Sequence, residues 1–284
     1  MKAQGQFTRA ILSASIVIST ALCATAFAEE PQASDEVNRL RWEVAPEISY
    51  FRYKEPGLMK EEGFMYGINA SAVYRAPVSK PLFGGPQDAK SWMLRGDARF
   101  SWGEVEYEGS LQPSGLSYEI DDIKDTALEF RALIGYDFAN EIARTTPYLG
   151  FGYRYLRDDG SCDPYGYERE SNYLYMPFGF EIHFPSEDEW SLGTTIEYDL
   201  LLWGEQNSQI GWFYGTNYGT VENYQRTGNG FRASLRFEKN QPGVDFAIEP
   251  FVRLWWIANS DGSCGWHEPK NRSSEVGLKV IWIF

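Results

Sequence analysis

Reactive side chains are scarce in this sequence of 284 residues: two histidines, three cysteines and a few groups of neighbouring acids. His183 lies in Phe180-Glu181-Ile182-His183-Phe184 and His267 in Cys264-Gly265-Trp266-His267-Glu268. Either imidazole could take a proton from water if a carboxylate oriented it. No Gly-rich phosphate loop, His-Glu-x-x-His site or serine-nucleophile motif accompanies them. Asp121, Asp122 and Asp125, with Asp158, Asp159 and Asp163, offer the hard oxygen ligands that calcium prefers. Their spacing fits no defined calcium loop, so these residues read as solvated acidic segments. The sequence implies no metal site, no cofactor and no catalytic set.

The elements that must position these residues begin after a leader. Met1–Arg9 carries Lys2 and Arg9 without an acid, Ile11–Leu22 is apolar, and Ala26-Phe27-Ala28 has the small-x-small form of a signal-peptidase site. Cleavage is expected after Ala28, leaving residues 29–40 as a short periplasmic segment and 41–284 as one domain. Leu22 before Cys23 argues against a lipoprotein. Export removes Cys23 and leaves Cys162 and Cys264, both in Asp-Gly-Ser-Cys segments. In an oxidising compartment these two are expected to pair as a disulfide. Beyond residue 28 no apolar stretch approaches the ~20 residues of a membrane-spanning helix. A net charge of −14 argues against nucleic acid as a partner. With 18 Phe, 18 Tyr and 10 Trp, the composition is not that of a disordered chain.

Hydrophobicity in the exported chain has a period of two. Trp92, Leu94, Gly96, Ala98, Phe100 and Trp102 alternate with Met93, Arg95, Asp97, Arg99 and Ser101, and the same alternation recurs along the chain. About ten strands result, near 41–54, 64–75, 92–107, 126–138, 147–157, 172–184, 190–203, 229–239, 244–258 and 273–284. Connections after the odd-numbered strands read as long loops rich in Gly, Asp, Asn and Ser. Those after strands four, six and eight read as tight turns. The fold class is therefore all-β: a transmembrane antiparallel up-and-down barrel with both termini in the periplasm and the long loops extracellular.

A membrane barrel turns its apolar face to lipid and its polar face to the lumen. The polar face carries Glu47, Arg95, Asp97, Arg99, Glu129, Arg131, Arg154, Glu181, Glu197, Asp199, Arg232, Arg236, Glu249, Arg253, Glu275 and Lys279. It favours Arg over Lys, as suits a lumen network in which each guanidinium forks between carboxylates. In the last hairpin, pairing Arg253 with Glu275 also sets Glu249 opposite Lys279, and the seventh and eighth strands set Glu197 opposite Arg232. Trp42, Trp92, Trp102, Tyr148, Tyr155, Trp190, Trp255, Trp256 and Trp282 are expected in interfacial belts. Pro46, Pro177 and Pro250 fall inside these strands and imply bulges or shifted strand limits.

The leader, the alternating strands and the closing segment Glu275-Val276-Gly277-Leu278-Lys279-Val280-Ile281-Trp282-Ile283-Phe284 together resemble the Gram-negative outer-membrane β-barrel proteins. That resemblance implies an outer-membrane location, contact with its lipid and lipopolysaccharide, and recognition of Trp282 and Phe284 by the barrel-assembly machinery. Ten strands is also the size of the omptins, outer-membrane proteases that activate water with an Asp–Asp pair facing an Asp–His pair. Resemblance to them would point to His267 with Asp158, Asp159, Asp163 or Asp261 at the rim, although the chain has no Asp-x-His motif. His183 reads as an ordinary lumen residue. A ten-stranded lumen crowded with Arg and carboxylates should be nearly plugged. The expected function is therefore a non-enzymatic outer-membrane barrel, structural, adhesive or solute-binding, acting through long extracellular loops. An omptin-like protease and a narrow low-conductance channel are the alternatives.

Overall fold

The computed structural model describes residues 40–78, 90–111, 114–185, 190–213, 216–239, 245–262 and 267–284. The expected leader and the segment up to residue 39 lie outside the described residues. Within Leu40–Phe284 the period of two produces strands β1 (Leu40–Glu55), β2 (Met59–Pro77), β3 (Lys90–Leu111), β4 (Leu116–Ala139), β5 (Arg144–Asp159) and β6 (Glu168–Phe184). These are followed by β7 (Trp190–Phe213), β8 (Thr216–Gln225), β9 (Gly228–Lys239), β10 (Asp245–Ile257) and β11 (Asn271–Ile283). Every pairing is antiparallel, and β1 pairs with β11 to close the sheet. Backbone bonds between Trp42 and Phe284, 3.1 and 2.9 Å long, complete that seam.

β8 and β9 occupy one position in the wall. β7 pairs with β9 over Trp190–Leu200 and with β8 over Gly204–Phe213, so the barrel is ten-stranded and up-and-down. One face of each strand looks outward and is apolar: on β1 it shows Leu40, Trp42, Val44, Pro46, Ile48 and Tyr50. At ~3.3 Å per residue and a strand tilt of ~40°, Leu40 to Tyr50 is an apolar band ~25 Å tall, the height of a bilayer's hydrocarbon layer in such barrels. No described helix is long and apolar enough to cross a membrane.

Most strands outrun the limits set by alternation, by the largest margins at the end away from the chain termini, the loop end. There the outer face turns polar, as in Arg52, Lys54, Lys60, Glu62, Glu104, Glu106 and Glu108, so no outward apolar period marks the strand. The long-loop expectation is thereby corrected: most of those segments are strand ribbons closed by short turns. β1 and β2 are joined by Pro56-Gly57-Leu58, with Leu58 N donating to Glu55 O at 3.0 Å and Gly57 at φ +85°. Pro at the second and a left-handed Gly at the third position are what a type II turn requires. Asp121, Asp122, Asp125, Asp158 and Asp159 accordingly belong to strands and not to acidic loops. Irregular chain remains at the loop end over 160–167, which includes a 3-10 turn at Gly160–Cys162, and over 258–262 and 267–270. Cys162 is exposed, and Cys264, its expected disulfide partner, lies outside the described residues.

The prolines need neither bulges nor new limits. Pro46, Pro177 and Pro250 keep register with one neighbouring strand, pairing Ile68, Asp199 and Leu278. On the other side the ladder skips them and resumes in the same register. Each missing N–H therefore interrupts one ladder locally without shifting it. True register shifts lie elsewhere, between Val105 and Tyr107 opposite Asp122 (φ 60°), and between Leu174 and Tyr175.

Produced without residues 1–28 and folded into detergent, the protein is expected to show a strand-dominated circular dichroism spectrum and a different gel mobility when unheated, because a closed barrel has no free edge for detergent to open. A helical spectrum would contradict this fold.

Candidate functional site

The alternate residues of ten strands leave no choice but to meet inside the barrel, and these are charged. Glu47, Arg95, Asp97, Arg99, Glu129, Arg131, Glu197, Arg232, Arg236, Glu249, Arg253, Glu275 and Lys279 all face the lumen. The expected registers Arg253–Glu275, Glu249–Lys279 and Glu197–Arg232 are the ones observed, with ion-pair distances of 3.2, 2.8 and 3.2 Å.

At mid-height four side chains alternate in sign around a closed circuit. Glu47 accepts from Arg99 Nε at 2.5 Å and from Arg253 Nη2 at 3.1 Å. Glu275 accepts from the other ends of the same two guanidiniums, Arg99 Nη2 at 2.5 Å and Arg253 Nη1 at 3.2 Å. Asn69 and Ser49 donate to the two carboxylates at 2.8 and 2.6 Å. A second knot faces this one. Arg232 of β9 reaches across the lumen to both oxygens of Glu129 on β4, and also bonds Asp199 Oδ2 at 2.7 Å and the Tyr175 hydroxyl at 3.0 Å. Arg131 and Tyr148 meet at Glu197, 2.5 and 2.7 Å from its Oε2. Buried charges are tolerable only when paired and hydrogen-bonded, and the forked guanidinium is what lets so few strands supply so many bonds.

Apolar groups fill what the charges leave. Tyr175 packs edge-on against Trp255 with ring centroids 5.2 Å apart, and Arg154 lies over Trp255 at 5.5 Å. A side chain at Gly152 would collide with the Tyr175 ring, so that position must stay bare. Between Arg99, Glu129, Arg154, Arg232, Arg253, Trp255 and Glu275 only about 10 Å³ is open, room for a single water at most. Below this level a cavity of about 170 Å³ opens towards the chain termini, lined by Arg41, Arg75, Arg95, Arg144, Arg236 and His183 among others. Above it lies a cavity of about 50 Å³, lined by Phe51, Tyr53, Glu61, Asp125, Asp158 and Arg169 among others.

Two aromatic expectations are corrected. Tyr148 and Trp255 are not belt residues but lumen residues, 6% and 3% exposed. Each has the parity of the inward set, Tyr148 with Thr146 and Arg154, Trp255 with Glu249 and Arg253. Trp42, Trp92, Trp102, Tyr155, Trp190, Trp256 and Trp282 do face outward. The same parity marks network members that sequence reading missed: Glu43 and Glu238, which hold Arg236 and Arg41, and Asp137, which holds Arg75.

At the loop end the acids proposed to serve His267 are already engaged. Asp158 binds Arg169, Asp159 accepts from Ser161, Asp163 accepts from the Tyr118 hydroxyl, and Asp261 binds Arg226. His267 itself is exposed, whereas its neighbour Glu268 turns inward and is 6% exposed. Ser260 N donates to Glu268 O at 2.9 Å and Glu268 N donates to Ser260 Oγ at 2.7 Å, which ties the two described arms of this connection together. The Tyr53 hydroxyl lies 3.1 Å from Glu55 and 3.3 Å from Glu268. Burial, reinforced by the neighbouring Glu55 carboxylate, pushes Glu268 up to about 7.

Two outcomes follow from this geometry. Glu275→Lys places a third cation beside Arg99 and Arg253 and is expected to cost about 3–5 kcal/mol of stability, the range for breaking a buried pair. Adding Arg253→Glu should recover part of the loss, because Arg99 still faces the new cation; unchanged denaturant unfolding of the single variant would contradict the circuit. For Glu268 the folded state holds a proton that the unfolded chain releases near the ordinary carboxyl value. Its contribution therefore falls as pH rises from about 4.5 to about 7. Hydrogen exchange at the Ser260 and Glu268 amides, corrected for intrinsic rates, should quicken across that window, and Glu268→Gln should flatten the dependence. An unaltered pH profile in that variant would remove Glu268 from the role.

No protein-family model matches this chain, and no curated protein does. Among solved structures, the outer membrane protease OmpT from Escherichia coli superposes with a TM-score of 0.54 at 12% identity, covering 87% of this chain and 97% of that one. The translocator domain of the autotransporter NalP from Neisseria meningitidis matches with a TM-score of 0.38 at 11% identity, covering 97% of each chain. The transport unit of the autotransporter AIDA-I from Escherichia coli matches with a TM-score of 0.40 at 10% identity, over 94% of this chain and 97% of that one. The ten-stranded closure, the outward apolar band and the likeness to OmpT together establish that the chain has the fold of the outer-membrane β-barrel proteins.

Proposed function

We propose that this protein is an integral outer-membrane barrel whose lumen is sealed, and that it works as a structural or binding protein through its loop-end surface. The observation that carries this reading is the mid-height lattice, with about 10 Å³ open between its side chains. A water-filled porin needs ~16–18 strands, and ten strands leave too little radius to hold this many side chains and a pore. In this reading the leader exports the chain, both termini lie in the periplasm and the loop end is extracellular. The outward band contacts lipid and lipopolysaccharide, and the β11 segment ending in Trp282 and Phe284 is the part offered to the barrel-assembly machinery. Trp282 and Phe284 are 41% and 71% exposed, which keeps both side chains available on the outer surface.

The protease alternative rests on the likeness to OmpT, which concerns fold alone. Against it stand the engaged acids, each held by a partner other than His267. In planar bilayers the purified barrel is expected to give no steps above background across ordinary ionic strengths. Stable, ohmic openings would overturn the sealed-lumen reading in favour of the narrow channel, and cleavage of unstructured peptides abolished by His267→Ala would overturn it in favour of the protease.

A further inference from the structure

Above the seal the lumen holds more negative charge than its bases balance. Arg169 gathers three acids: its Nη2 lies 2.5 Å from both Glu61 Oε1 and Asp158 Oδ2, and its Nη1 lies 3.3 Å from Glu55 Oε1. Asp125 makes no hydrogen bond to that guanidinium. It stands on β4 directly opposite Asp158 on β5, both facing inward, an arrangement in which two carboxylates repel. The Oδ1 atoms of Asp125 and Asp158 are buried and have no hydrogen-bond partner. Nor has the Oγ of Ser101 on the adjoining β3, a residue only 1% exposed. All three residues line the same cavity of about 50 Å³, which has room for an occupant and a few waters.

We propose that this cavity is a binding site for a divalent cation of the calcium class. Asp125 and Asp158 each lend an oxygen, and the Ser101 hydroxyl and retained waters complete the shell. The ion removes the repulsion between the facing carboxylates and satisfies oxygens that burial has cut off from solvent. Among the described residues no three acidic, histidine or cysteine groups converge on one point, so the site rests on two carboxylates and neutral oxygens. So few charges make for weak binding, with a Kd of ~10⁻⁴–10⁻³ M, and calcium is preferred because magnesium demands a nearly ideal octahedron. The site lies on the loop-end side of the seal and is independent of whether the barrel conducts.

Equilibrium dialysis of the folded full-length barrel in detergent, with calcium as the probe, is expected to find one saturable ion per chain. Calcium should also raise the thermal midpoint over that in chelator, and magnesium should raise it less. Asp125→Asn is expected to lose the bound ion and the calcium-dependent rise, while being at least as heat-stable as the wild type in chelator, since it removes an unpartnered charge. Glu106→Gln, on the outer face above the band, is expected to keep the rise and so exclude a surface effect. Absence of bound calcium in the wild type, or an undiminished rise in Asp125→Asn, would overturn the site. Should Asp125→Asn not fold, Ser101→Ala carries the test: it is expected to weaken calcium binding, and unchanged binding would count against the assignment.

Discussion

Everything in this molecule follows from having its solvents inverted. Lipid outside requires an apolar outer face, and a β-strand can supply one only by sending every second residue inward. In a barrel of ten strands those inward residues are too close to remain hydrated individually. The Glu47–Arg99–Glu275–Arg253 circuit is the local solution: two anions and two cations, drawn from β1, β3, β11 and β10, each bonded to both of its opposites. The circuit ties together strands from the two ends of the chain, and the β1–β11 seam lies beneath it.

Arg232 extends the same logic across the lumen. Directly opposite Arg253 in the ladder, it would be repelled were it not turned away towards Glu129, Asp199 and Tyr175. The two arginines therefore point to different partners, and the rings of Tyr175 and Trp255 pack edge-on beside Arg232. The proposed seal therefore rests on charge pairing and ring packing together. Apolar residues of the same volume would fill the same space, but forked ion pairs also fix which strand stands beside which.

Much of this was legible because parity carries two kinds of information at once. The alternation of Trp92–Trp102 located β3, and its complement named Arg95, Asp97 and Arg99 as lumen residues. The paired registers of β7 with β9 and β10 with β11 followed from opposite charges falling opposite one another. What escaped was of two sorts. Strand ends beyond the bilayer, such as Lys60–Glu62 and Glu104–Glu108, carry polar residues on the outer face, so the amphipathic signal stops although the backbone ladder continues. Tyr148 and Trp255 were misplaced because residue type was weighed above parity: aromatic rings favour interfaces on average, but their inward position was already stated by their neighbours. Of the partners of Arg169, Asp158 stands opposite it in the β5–β6 ladder, but Glu55 on β1 and Glu61 on β2 could not be foreseen, since contact across a lumen has no register to read.

The central claim is a lumen divided by its own side chains, and sidedness of chemical access tests it most directly. In a Cys162→Ser, Cys264→Ser background reconstituted in one orientation, Thr195→Cys lies in the cavity on the terminal side of the lattice and Ser171→Cys in the cavity on the loop side. A small membrane-impermeant thiol reagent should modify Thr195→Cys only from the side of the chain termini and Ser171→Cys only from the opposite side. Modification of either position from both sides would show a continuous aqueous path and contradict the account.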